Sequence, residues 1–109
     1  MTLEIVEYLD ANETSQFARW FDELDPQAAA KVTVALQRIR QGNLSNVKGV
    51  GAGILEYRID FGPGYRIYFG RDGERIVVLL GGGTKRRQGR DIETAQARWV
   101  DYRRRKKGS

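Results

Sequence analysis

Two arginines, Arg58 and Arg66, stand among strand-forming residues in the stretch LEYRIDFGPGYRIYFGRDGERIVVLLGGGTKRRQGRDIE, residues 55–93. Tyr68 follows closely, and a triple glycine leads into Thr84, Lys85, Arg86, Arg87, Gln88 and Arg90. Successive side chains of a strand point to opposite faces. Glu56, Arg58 and Asp60 therefore share one face of the first strand, and Leu55, Tyr57, Ile59 and Phe61 the other. In the next strand Arg66 and Tyr68 oppose the apolar set Tyr65, Ile67 and Phe69. Glu56, Arg58, Arg66 and Tyr68 are thus expected on one polar, solvent-facing sheet face, with a loop bringing Lys85 to Arg87 to its end. Clustered cations suit an anionic partner such as nucleic acid. The simpler reading is a solvated face of cross-strand ion pairs, with Glu56 or Asp60 holding Arg58.

Other chemistries find little support. The chain has no cysteine and no histidine. It therefore offers no thiolate nucleophile and no imidazole, the commonest general base and metal ligand near neutral pH. Glu56 and Asp60 share a face, but two carboxylates beside arginines make a poor metal site, and no metal or cofactor is expected. GVGAG, residues 49–53, follows a helix and precedes a strand, the reverse of a dinucleotide fingerprint. GGGTKRR lacks the spacing of a phosphate-binding Walker loop. Its glycines are read as a flexible strand exit, with a backbone nest for an anion as the functional alternative.

The surrounding elements must hold these residues in place. The 109 residues fit a single domain, and 40% apolar content suffices for one modest core. Leu3–Leu9 reads as a strand, with Leu3 and Ile5 facing away from Val6 and Tyr8. Asn12 or Thr14 is the expected cap of a helix carrying Phe17, Trp20, Phe21 and Leu24 at helical spacing. Asp25-Pro26 starts a second helix with the stripe Ala29, Val32, Leu36 and Ile39, and Gly42 ends it. Residues 43–53 read as a loop. Ile54–Phe61, Tyr65–Arg71 and Glu74–Leu80 form an antiparallel meander joined at Gly62-Pro63-Gly64 and Asp72-Gly73. The run Ile76–Leu80 is apolar on both sides, which predicts a central strand. Asp91 is the expected cap of a last helix bearing Ile92, Ala95, Trp99 and Tyr102, followed by the basic tail 103–109. The predicted fold is α+β, in the order β-α-α-β-β-β-α, with a helical hairpin packed on a small, largely antiparallel sheet.

Charge is unevenly shared. Residues 1–46 carry four basic and seven acidic residues, whereas residues 47–109 carry fifteen and seven. The second half thus favours an anionic partner. No apolar run is long enough to span a membrane, and the acid-containing start MTLEIVEYLD lacks the basic region of a signal peptide. A cytoplasmic protein with no membrane partner is expected.

The order of elements, with Glu56-x-Arg58, Gly64-Tyr65-Arg66-x-Tyr68 and Gly82-Gly83-x-Lys85-x-x-Gln88-x-x-Asp91-Ile92, resembles the RelE/ParE superfamily of bacterial toxins from type II toxin–antitoxin modules. It looks most like the HigB-like addiction module killer branch, and the resemblance covers nearly the whole chain. It implies a ribosome-dependent endoribonuclease acting on mRNA without metal. In such a reaction an RNA 2′-OH attacks the adjacent phosphate, and fixed cations stabilise the growing phosphoryl charge. By this resemblance Arg58, Arg66 and Lys85 are the catalytic candidates. Lys48, Tyr68, Arg86, Arg87, Gln88 and Arg90 are the RNA-binding candidates, with Tyr68 placed to stack on a base or position the phosphate. The implied partners are the ribosome with its mRNA and a cognate antitoxin, typically a small helix-turn-helix protein through which operator DNA is bound. Some relatives place His or Tyr late in the chain as general acid. Here the only late Tyr, Tyr102, falls on the apolar stripe, so the proton donor stays open. The superfamily also holds inhibitors of DNA gyrase, and a plain nucleic-acid-binding module is a third reading.

Overall fold

A computed structural model describes residues 2–108. The chain runs β1 (Glu4–Glu7), α1 (Gln16–Asp22), α2 (Pro26–Arg40), β2 (Val47–Gly49), β3 (Leu55–Ile59), β4 (Tyr65–Asp72), β5 (Ile76–Thr84), a 3₁₀ turn (Lys85–Arg87) and α3 (Gln88–Gly108). The five strands form one sheet in the order β1-β5-β4-β3-β2. Only β1 and β5 are parallel; the other pairs are antiparallel. Among the described residues no helix is long and apolar enough to cross a membrane.

The sheet is covered on both sides. On one face α1 and α2 bury Phe17, Val32 and Ile39 against Tyr57, Ile67, Phe69, Val77 and Leu79. On the other, Ala95 and Trp99 of α3 pack on Ile54, Tyr68, Val78 and Leu80. Val77–Leu80 thus serves both cores in alternation, as its unbroken apolar run predicted. The expected solvent-facing polar face is not what forms. The apolar stripe of α3 needs a sheet face, and Tyr68 and its apolar neighbours supply it, so Glu56 and Arg66 are carried under the helix and buried.

Local signals account for most boundaries. Asp25 caps α2 by accepting from the Ala28 N–H, with Pro26 in the first turn. Gly42, at φ 80°, closes α2: its N–H donates to Ile39 and that of Asn43 to Arg38, the pattern of a Schellman end. Several expectations are corrected. Ser15, rather than Asn12 or Thr14, caps α1 through the Ala18 N–H, while Asp10 accepts from the Asn12 and Thr14 N–H groups. The buried line of α2 is Ala28, Val32, Ala35 and Ile39, and Ala29 is only partly covered. The expected loop 43–53 contains the edge strand β2, paired with β3. Asp91 lies inside the first turn of α3 rather than before it. The basic run continues α3 through Gly108 instead of leaving as a tail.

The triple glycine is also corrected. Gly81, Gly82 and Gly83 are not a flexible exit or an anion nest but part of β5, opposite Tyr68, Ile67 and Arg66. Each is a close-approach seat. A Cβ on Gly81 would meet Arg98 Nη1 at 2.7 Å, one on Gly82 the Trp20 ring at 2.3 Å, and one on Gly83 Asp91 Oδ2 at 2.0 Å. The register of β4 against β5 shifts between Tyr68 and Phe69, which leaves Leu80 as an extra residue on β5. Arg98 Nη1 donates to the Leu80 carbonyl at 2.7 Å, so the bulge acquires a side-chain partner.

Candidate functional site

The sheet register assembles the site in two rows. Lys48, Glu56, Tyr68 and Gly81 lie side by side across β2, β3, β4 and β5. Arg58, Arg66 and Gly83 form the next row. Two arginines opposite each other would repel. Glu56 lies between them, fully buried, with Oε1 3.6 Å from Arg58 Nε and Oε2 3.7 Å from Arg66 Nε. Both gaps exceed hydrogen-bond length, so these are ion pairs. The direct donor to Glu56 is Gln88 Nε2, 2.8 Å from Oε2. Among the described residues Arg66 Nε has no hydrogen-bond acceptor. The Arg66 side chain is 5% exposed and that of Arg58 51%, so Arg58 is the one with reach into solvent.

Lys85 joins this group through the β3–β4 turn. Its N–H donates to the Gly64 carbonyl at 2.8 Å. Gly64 has φ 80°, and a Cβ there would lie 3.5 Å from Lys85 Cβ and 3.8 Å from Arg66 Nη1. The turn needs a left-handed residue, and glycine also leaves the space between those two cations open. Lys85 is exposed at the start of the 3₁₀ turn. Lys85 and Arg66 thus flank the Gly64 turn, and Arg58 stands opposite Arg66 on β3 with Glu56 between the two arginines. An anion at that lip would meet Arg58 and Lys85 directly, with Arg66 fixed behind.

Tyr68 is 1% exposed, so its ring sits in the second core and offers no face for a base to stack on. Among the described residues its buried hydroxyl makes no hydrogen bond of good geometry, and the carboxylate it faces is that of Glu56. Burial first, and then the charge of Glu56, raise its pKa well above the ordinary phenol value. Arg86, Arg87 and Arg90 are exposed, and Arg87 and Arg90 turn toward a cavity of about 340 Å³ between α1 and α3. Tyr68 lines that cavity too, so it borders both groups of cations.

Glu56, expected on this face as a partner of Arg58, pairs with Arg66 as well. Composition and pattern did not bring Asp91, Arg19 or Arg98 to the site. Asp91 closes over Gly83 with Oδ2 buried and, among the described residues, without a hydrogen bond. Burial raises its pKa, against the opposing charges of Arg87, Arg98 and Arg90. Arg19 and Arg98 reach the cavity from helices whose sequence shows only helical periodicity, so nothing local announced them. Among the described residues no group of three or more His, Cys, Asp or Glu is placed to hold a metal ion.

Two comparisons bear on this arrangement. Residues 19–100 match the family described as phage-derived protein Gp49-like (DUF891). An uncharacterised protein of Haemophilus influenzae (strain ATCC 51907 / DSM 11121 / KW20 / Rd) is 39% identical over 84 residues, covering 76% of this chain and 85% of the relative. The matched segment contains α2, the whole β2–β5 meander and Lys85, so the grouped cations fall inside it.

Proposed function

Because the chain belongs to the Gp49-like phage-derived family, a RelE/ParE-like toxin family of toxin–antitoxin systems, we propose that it is the toxin of such a pair and a metal-independent endoribonuclease of translated mRNA. Within the superfamily we place it beside the HigB-like killers. It works in the cytoplasm on mRNA held by the ribosome. Its antitoxin is a small helix-turn-helix protein that covers the basic surface and carries the pair to operator DNA.

The observation that supports this reading is the grouping of Lys85 and Arg66 at the Gly64 turn with Arg58 opposite Arg66, one buried carboxylate lying between the arginines. In-line attack by an RNA 2′-OH loads negative charge on the non-bridging oxygens of the scissile phosphate. Pre-placed cations stabilise that charge without reorganising, and removing one such donor typically costs about 10²–10³ in rate. Arg58 and Lys85 contact the phosphate, Arg66 stabilises it from behind, and Glu56 with Gln88 fixes the orientation of the arginines. Lys48, Arg86, Arg87 and Arg90 hold the flanking backbone. Tyr68 acts by position, as a buried hydroxyl next to Glu56.

Primer extension on translated message after induction tests the reading. Cuts in frame with codons are expected. Intact message together with trapped gyrase–DNA complexes would replace the nuclease by a gyrase poison.

A further inference from the structure

The cavity between α1 and α3 has an unusual lining. Its floor is Gly81 and Gly82, and Arg19, Arg87, Arg90 and Arg98 stand around it against only Glu23 and Asp91. Among the described residues none of these four arginines is in an ion pair. Arg98 is half-buried, and that burial lowers its pKa against the opposing charges of Asp10 and Asp91, neither of which pairs with it directly. Its one hydrogen bond goes to the Leu80 carbonyl at the bulge. The Tyr68 hydroxyl, on the same lining, is buried with the Glu56 carboxylate beside it. Holding a guanidinium half-buried in this way is costly unless a ligand completes its donors.

We propose that this cavity is a phosphate subsite that takes one phosphodiester of a single RNA strand, with Arg98 at its back and Arg19, Arg87 and Arg90 at its mouth. The inference rests on the nuclease reading and deepens it, since it adds a second anchoring point beyond the Gly64 turn. Phosphate is the matching anion because guanidinium forks bind it bidentately. At about 340 Å³ the space is at the small end of ligand sites. A strand is favoured over free phosphate because the turn that begins with the exposed Lys85 carries Arg87 and leads into Arg90 on the cavity lining, so a chain bound at one continues to the other.

The test is fluorescence anisotropy with a short 2′-O-methyl RNA, which lacks the attacking hydroxyl and so reports binding alone. Arg19→Gln with Arg90→Gln changes only exposed residues and should leave the fold intact. It should weaken binding about tenfold or more, the scale of lost charge-assisted hydrogen bonds, and lower the salt slope by about 0.7 per lost contact. Arg98→Gln should act in the same direction, and Arg98→Lys should restore part of the loss. Arg103→Gln with Arg104→Gln, on the far part of α3, should change nothing. Wild-type affinity and slope in the Arg19/Arg90 variant would overturn the proposal. So would a variant that loses inorganic phosphate binding but keeps the oligonucleotide, since the cavity would then serve free phosphate. Intact message in the primer-extension experiment would remove the nuclease and leave this binding result standing, so the two failures are distinguishable.

Discussion

Arg66 is bound to its place by a charge it does not hydrogen-bond. Glu56 has no exposure; Arg58, Arg66 and Gln88 compensate it, with the Tyr68 hydroxyl beside it. Arg66→Ala would leave that carboxylate with one half-exposed arginine and one amide. A solvent-facing strand arginine would cost almost nothing to remove, but a buried partner of a buried charge does not behave so. We expect Arg66→Ala to lose about 1–3 kcal/mol, below the usual figure for a broken buried pair because the gap is long. Its loss of toxicity would then mix folding with chemistry. Lys85→Ala separates them. Lys85 is exposed and in no ion pair among the described residues, so its removal should leave the thermal midpoint within the range of ordinary surface changes. On saturated ribosomes its single-turnover rate should fall about 10²–10³. Equal midpoints for the two variants would contradict the burial argument, and normal cleavage by Lys85→Ala would take Lys85 out of the site.

At the scale of elements, α3 is held to the sheet by carboxylates at its far half. The Tyr8 hydroxyl donates to Asp101 Oδ2 at 2.7 Å, and Arg105 bonds to both Asp101 and the Leu9 carbonyl. Tyr102 donates to Asp72 at 2.7 Å and Lys106 reaches the same carboxylate at 2.6 Å. Hydrogen bonds from Arg105 and then Tyr8 hold the Asp101 pKa well below the usual range, and Lys106 and then Tyr102 lower that of Asp72. Both acids therefore titrate lower in the fold than in the unfolded chain. Their stabilisation is complete above the unfolded value of about 3.9 and drains as pH falls below it. Thermal midpoints should drop from pH 6 to pH 3, and Asp101→Asn should flatten that slope. An unchanged slope would mean these contacts do not tie the helix down. The elements show why some of the fold was legible and some was not. Asp25-Pro26, Gly42 and the two hairpin turns act within a few residues, so the sequence displays them. The strand β2 owes its pairing to β3 rather than to its own composition, and Gly81–Gly83 stay extended because Trp20, Arg98 and Asp91 press on them from distant helices. Burial of Glu56 and Arg66 was hidden for the same reason: it depends on where α3 lies.

Over the whole molecule, the basic second half governs encounter. An antitoxin with acidic and apolar residues should associate faster at low salt, and its off-rate should respond mainly to buried anchors. Stopped-flow association across a salt series checks this, and a salt-independent on-rate would contradict it. The parallel pairing of β1 with β5 has a further effect, on timing. Ile5 lies beside Val77, so the opening strand waits for the last strand before the sheet can close. Such distant pairings form late and slowly. Arg58, Arg66 and Lys85 likewise come from β3, β4 and the turn after β5, and no early fragment holds all three. On the proposed nuclease reading, a nascent chain that has not yet reached the turn after β5 carries no assembled site, and is harmless until that turn is in place.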